Sequence, residues 1–70
     1  MTHEFSVMIN GTPRDLSQGA TAQDVVKLLG LQERPVAVEV NMQVVPRREL
    51  AACLLCAGDR LEIVTLVGGG

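Results

Sequence analysis

The chain has 70 residues, 47% of them hydrophobic and 20% charged, which fits one small globular domain. A chain of this size buries about 60% of its unfolded surface, room for one modest core and not for an enclosed active-site cavity. A formal net charge of −2, an isoelectric point near 5.1 and a single aromatic residue, Phe5, leave neither the basic stripe nor the stacking platform of a nucleic-acid binder.

The start, Met1-Thr2-His3-Glu4, has no basic and apolar leader pattern, and no apolar run nears the roughly 20 residues of a membrane span. Two cysteines do not make a disulfide framework. A soluble, cytoplasmic chain without nucleic-acid or membrane partners is expected.

In chain order, Phe5, Val7 and Ile9 alternate with Ser6, Met8 and Asn10, the period of a strand with one buried face. Asn10-Gly11 is a hairpin turn signal, because both residues accept positive φ. Thr12 to Leu16 returns as a second strand, placed at an edge by Pro13, which has no N–H. After the loop Ser17–Ala20, Thr21 opens a helix. Its hydroxyl serves the free N–H groups of the first turn, and Asp24 adds negative charge at the positive end. Ala22, Val25, Val26 and Leu29 form one apolar stripe. Gly30 fits the left-handed position after the helix, with Leu31 placed to touch Val26.

Val36, Val38 and Val40 make a third strand, Asn41-Met42 a turn, and Gln43 to Val45 a short fourth strand stopped by Pro46. Arg47 to Ala57 lacks periodicity, with a helical turn expected around Glu49 to Leu54. Gly58-Asp59 is a turn, and Arg60 to Val67 is the last strand, with Leu61 and Ile63 facing in. One helix stripe and the strand faces must share a core. The expectation is an α+β, ubiquitin-like β-grasp fold: a mixed sheet of four to five strands on one main helix. The domain is read as 1–67, followed by a flexible glycine tail, 68–70.

The chemistry points to that tail. Gly68, Gly69 and Gly70 have no Cβ and thread a channel too narrow for other residues. Three extended residues beyond Val67 reach roughly 10 Å, into a partner's cleft. The terminal carboxylate is ionised at neutral pH and is a poor electrophile until adenylated. A sulfur nucleophile then gives a thiocarboxylate, and an amine an amide. A terminal glycine run by itself is equally a linker remnant; its position directly after a β-grasp strand gives it meaning.

Several runs carry a resemblance. They are Met8-Ile9-Asn10-Gly11, Leu16 with Gly19-Ala20-Thr21, Val36-Ala37-Val38-Glu39-Val40-Asn41 and Val45-Pro46-Arg47. Gly58-Asp59-Arg60, Glu62-Ile63-Val64 and Val67-Gly68-Gly69-Gly70 complete the set. In this order and spacing, over nearly the whole chain, they resemble the thiamine-biosynthesis sulfur carrier (ThiS) family. The resemblance implies a carrier that is not itself an enzyme and binds no cofactor. Its Gly70 would be adenylated, at the expense of ATP, by a ubiquitin-activating-like adenylyltransferase. The resulting thiocarboxylate would donate sulfur to thiazole synthase. The alternatives are the small subunit of molybdopterin synthase, a ubiquitin-like protein modifier, or an interaction module with a passive tail.

Alternation puts Met8, Ala37, Val64 and Leu66 on the helix-free sheet face, a candidate docking patch beside the tail. Cys53-Leu54-Leu55-Cys56 is a C-x-x-C pair without the second pair that structural zinc needs. No metal site is expected, and the two cysteines are read as small apolar residues packing a loop or helical turn. His3 is expected exposed and inert, and Arg47-Arg48 a solvated loop. No catalytic residue set can be assembled.

Overall fold

The computed structural model describes residues 3–66. The end of the expected last strand at Val67, the 67/68 boundary and all three terminal glycines lie outside the described residues.

The elements are β1 (Glu4–Ile9), β2 (Thr12–Ser17), α1 (Ala22–Leu28), β3 (Val36–Val40), β4 (Gln43–Val44), a 3₁₀ helix (Arg47–Ala52) and β5 (Arg60–Thr65). The five strands form one sheet in the order β2-β1-β5-β3-β4, with β1 and β5 parallel and the other pairs antiparallel. The hairpin turn works as its residues require: Asn10 and Gly11 have φ of 50° and 82°. Pro13 lies on edge strand β2, opposite Met8.

Thr21 and Asp24 close a reciprocal capping box. The Thr21 hydroxyl accepts from the Asp24 N–H at 3.3 Å, and the Asp24 carboxylate accepts from the Thr21 N–H at 2.9 Å. Asp24, expected to contribute its charge, also accepts a hydrogen bond from the Thr21 N–H. At the other end Gly30 has φ of 74°, its N–H donates to the Lys27 carbonyl, and the Leu31 N–H donates to the Val26 carbonyl. These are the two bonds of a Schellman ending.

The core holds Val7, Ile9, Leu16, Ala22, Val25, Val26, Val38, Leu50, Leu55, Leu61 and Ile63, so one helix stripe meets the inner faces of four strands. The 47–57 segment departs most from the sequence reading. Its helical turn starts two residues early, runs Arg47–Ala52 and is 3₁₀. It drives Leu50 into the core, and Leu55 follows from the extended stretch after it. The Arg47 guanidinium does not simply sit in water. It donates to the carbonyls of Gln32 (2.9 Å) and Arg34 (3.2 Å), clamping the loop before β3. β4 is one residue shorter than expected, although the Val45 N–H still donates to the Val38 carbonyl in register with the β3–β4 pair.

Candidate functional site: where the last strand leaves the sheet

β5 occupies the middle of the sheet and is the last strand of the described residues, and the terminal glycines follow it in the sequence. Two asparagines fix it from both sides. β1 reaches only as far as Ile9 opposite Leu61, then turns away. Beyond that point the Asn10 side chain replaces the strand. Its Nδ2 donates to the Ile63 carbonyl at 3.0 Å, and its Oδ1 accepts from the Ile63 N–H at 2.8 Å. The amide group has one donor side and one acceptor side, like a peptide unit, so it adds one rung to the ladder.

Asn41 does related work at the start of β5. Its Oδ1 accepts from the Arg60 N–H at 3.0 Å, its Nδ2 donates to Asp59, and its own N–H donates to the Arg60 carbonyl. Asp59 also accepts from the Cys56 N–H at 2.7 Å, tightening the turn into β5. The turn signals at Asn10, Asn41 and Asp59 were visible in the sequence. Their second use, holding β5 through side-chain hydrogen bonds, was not.

Val7, Ile9, Val38, Leu61 and Ile63 point inward, so the register puts Met8, Ala37 and Val64 on the helix-free face. Ala37 and Val64 are direct cross-strand partners. Val64 and Leu66 are 54% and 52% exposed, whereas Met8 and Ala37 are only part-exposed, flanked by neighbouring strands. The Leu66 N–H donates to the Pro35 carbonyl, so β3 and the residue before it guide the chain up to the tail. Val44, 71% exposed, widens the apolar area, since it lies opposite Glu39. The patch is not purely apolar: Glu39 and Glu62, both exposed, are also direct cross-strand partners. Like charges in that relation are mildly destabilising.

The cysteines do not form a unit. Residues 53–55 are extended and pair with 20–22: the Ala22 N–H donates to the Cys53 carbonyl, and the Leu55 N–H to the Ala20 carbonyl. An extended three-residue step spans about 10 Å between Cα atoms, more than the roughly 7 Å that a disulfide allows. Cys53 is half-buried and packs on the core, as expected. Cys56 is exposed and packs nothing, which corrects the expectation for that residue. Burial, followed by the charges of Asp59 and Glu49, raises the Cys53 thiol above its ordinary value, so it is mostly protonated and a poor nucleophile near neutral pH.

Among the described residues no polar or charged side chain is buried, and no three His, Cys, Asp or Glu side chains cluster as metal ligands. His3 is exposed, though its carbonyl accepts from the Gln18 N–H. The two grooves of about 400 and 350 Å³, one between β2 and α1 and one beside β4, are open to solvent. No helix of the described residues is long and apolar enough to cross a membrane.

Comparison with known proteins agrees with this geometry. A solved structure of a thiamine biosynthesis protein (ThiS) from Geobacter metallireducens superposes with a TM-score of 0.78 at 25% identity, covering 94% of this chain and all of that one. The sulfur carrier protein ThiS of Thermus thermophilus is 36% identical over 91% of this chain and 98% of its own length. A thiazole synthase of Paramagnetospirillum magneticum is 41% identical over 94% of this chain. This chain spans only 20% of that larger protein. The model of the ThiS family matches residues 7–70, from the middle of β1 through the last glycine. The chain belongs to the ThiS family.

Proposed function

We propose that this chain is a sulfur carrier for thiazole formation in thiamine biosynthesis, acting through the Gly70 carboxylate. One observation carries the reading: β5, the last described strand, is held on both sides and is followed in the sequence by a glycine end that the family match includes. The chain is a protein co-substrate. Partner enzymes supply the reaction steps.

An ATP-dependent adenylyltransferase joins the Gly70 carboxylate to AMP and releases pyrophosphate. A sulfur nucleophile then displaces AMP, leaving a thiocarboxylate. Thiazole synthase accepts that sulfur. The larger thiazole synthase relative, one-fifth of which resembles this chain, supports the pairing of the two activities. The part-apolar face around Ala37, Val64 and Leu66 is the docking patch, with Met8 at its margin. Gly68 and Gly69 thread the acceptor's channel. Beyond Leu66 four residues reach at most about 13 Å, so the acceptor must lie against the globule.

The test is reconstituted thiazole formation with the full chain and with a chain lacking Gly70. The truncated chain keeps its fold and melting temperature and supports no thiazole formation. Product formation at the full-length rate by the truncated chain would overturn the proposal.

A further inference from the structure

The sheet leaves one stretch of backbone unpaired, directly before the tail. Asn41 and Leu66 donate to the carbonyls of Arg60 and Pro35, so residues 60, 62, 64 and 66 direct their peptide groups toward β3. Alternation sends the peptide groups of Leu61, Ile63 and Thr65 to the other side. There the Leu61 carbonyl meets the Asn10 N–H, and Ile63 meets the Asn10 side chain. Thr65 comes next. β1 has ended, and among the described residues the Thr65 N–H and carbonyl have no partner on that side. Thr65 is exposed. A central strand has thus become an edge strand in its last residues.

We propose that this edge is a strand-addition site: an extended segment of thiazole synthase pairs with the Thr65 backbone as the tail enters. The inference rests on the function proposed above. The occupant follows from the length of chain beyond Leu66, four residues ending in Gly70. A cleft that holds Gly70 must border this edge within about 13 Å. Backbone pairing suits the position, because glycines offer no side chains to grip and main-chain hydrogen bonds read none. Asn10 sets the limit, since it occupies Ile63 and leaves Thr65 as the first free rung. Edges of this kind otherwise invite unwanted pairing, and here the open stretch is a single described residue.

Amide exchange of the full-length chain, free and bound to thiazole synthase, tests this. In the free chain the Thr65 amide exchanges fast, while Ile63, Val64 and Leu66 are slow. In the complex Thr65 slows by about tenfold or more. A complex in which Thr65 stays fast overturns the proposal, as does a slow Thr65 in the free chain. Thr65→Pro is the second probe. It removes an N–H that the fold does not use, on the side where a sheet tolerates proline. Its melting temperature should stay near the parent's, and its affinity should fall about tenfold. Unchanged affinity overturns strand addition. Failure of the parent chain itself to bind thiazole synthase instead sinks the functional reading on which this one depends.

Discussion

The clearest energetic consequence of the fold concerns Asn10, one side chain that stands in for a strand. Asn10→Gly removes both hydrogen bonds to Ile63 while keeping a residue that accepts the observed φ of 50°. Each bond contributes about 0.5–1.5 kcal/mol net. The greater freedom of glycine in the unfolded chain, about 0.5–1 kcal/mol, is offset by relief of the left-handed strain at that φ. The expected loss is therefore about 1–3 kcal/mol from the two bonds. For a domain of this size each kcal/mol shifts the melting temperature by about 4–8 °C, so the midpoint of thermal unfolding followed by circular dichroism should drop by at least about 4 °C. The Ile63 amide should exchange faster in the same variant, while Val64, bonded toward β3, should change less. A melting temperature within about 3 °C of the parent, with Ile63 still protected, would refute the assignment of Asn10 as a rung of the sheet.

Three further outcomes follow from other positions. Met42 has φ of 70° and a side chain 91% exposed. Met42→Gly relieves a left-handed cost of about 1–2 kcal/mol, offset by about 0.5–1 kcal/mol of glycine entropy. The variant should gain up to about 1.5 kcal/mol in urea unfolding, and a loss would contradict the turn geometry. Thr21→Ala opens the capping box of a seven-residue helix and should cost about 1 kcal/mol in the same assay. Alkylation near neutral pH should label Cys56 first. Cys53 should lag and accelerate as pH rises, because its raised pKa keeps the thiol protonated; equal rates, or a Cys53–Cys56 disulfide in the folded chain, would contradict the extended 53–56 geometry.

The sequence showed most of what local chemistry decides. The β1 alternation, Asn10-Gly11, the Thr21 cap and Gly30 are each set by a few adjacent residues, and the structure contains all of them. The helix-free face was also legible, because a period of two leaves no choice once Leu61 and Ile63 face inward. Residues 47–57 were not. A 3₁₀ helix lacks the 3.6 period, and Leu50 and Leu55 are single anchors without a repeating partner. Arg47 could not be read as a clamp because its acceptors are backbone carbonyls of Gln32 and Arg34, which carry no sequence signal. The free edge at Thr65 depends on where β1 stops relative to β5, a register between residues more than fifty positions apart. Cys53 and Cys56 show the converse case. Both were read as small packing residues, and the extended backbone between them leaves Cys56 exposed while Cys53 packs on the core.

The central claim is that Gly70 is the group on which partner enzymes act, and mass analysis tests it most directly. The chain would be incubated with the candidate adenylyltransferase, ATP and a sulfur donor, and the carboxyl-terminal fragment weighed. Replacing oxygen by sulfur adds nearly the same mass as oxidising a methionine, and the chain has 3 methionines, so the gain must be located by fragment. The account predicts the gain on the fragment containing Gly70, dependent on ATP and lost when Gly70 is removed. An unmodified Gly70 fragment, with an enzyme shown to be active on an established carrier, would contradict it.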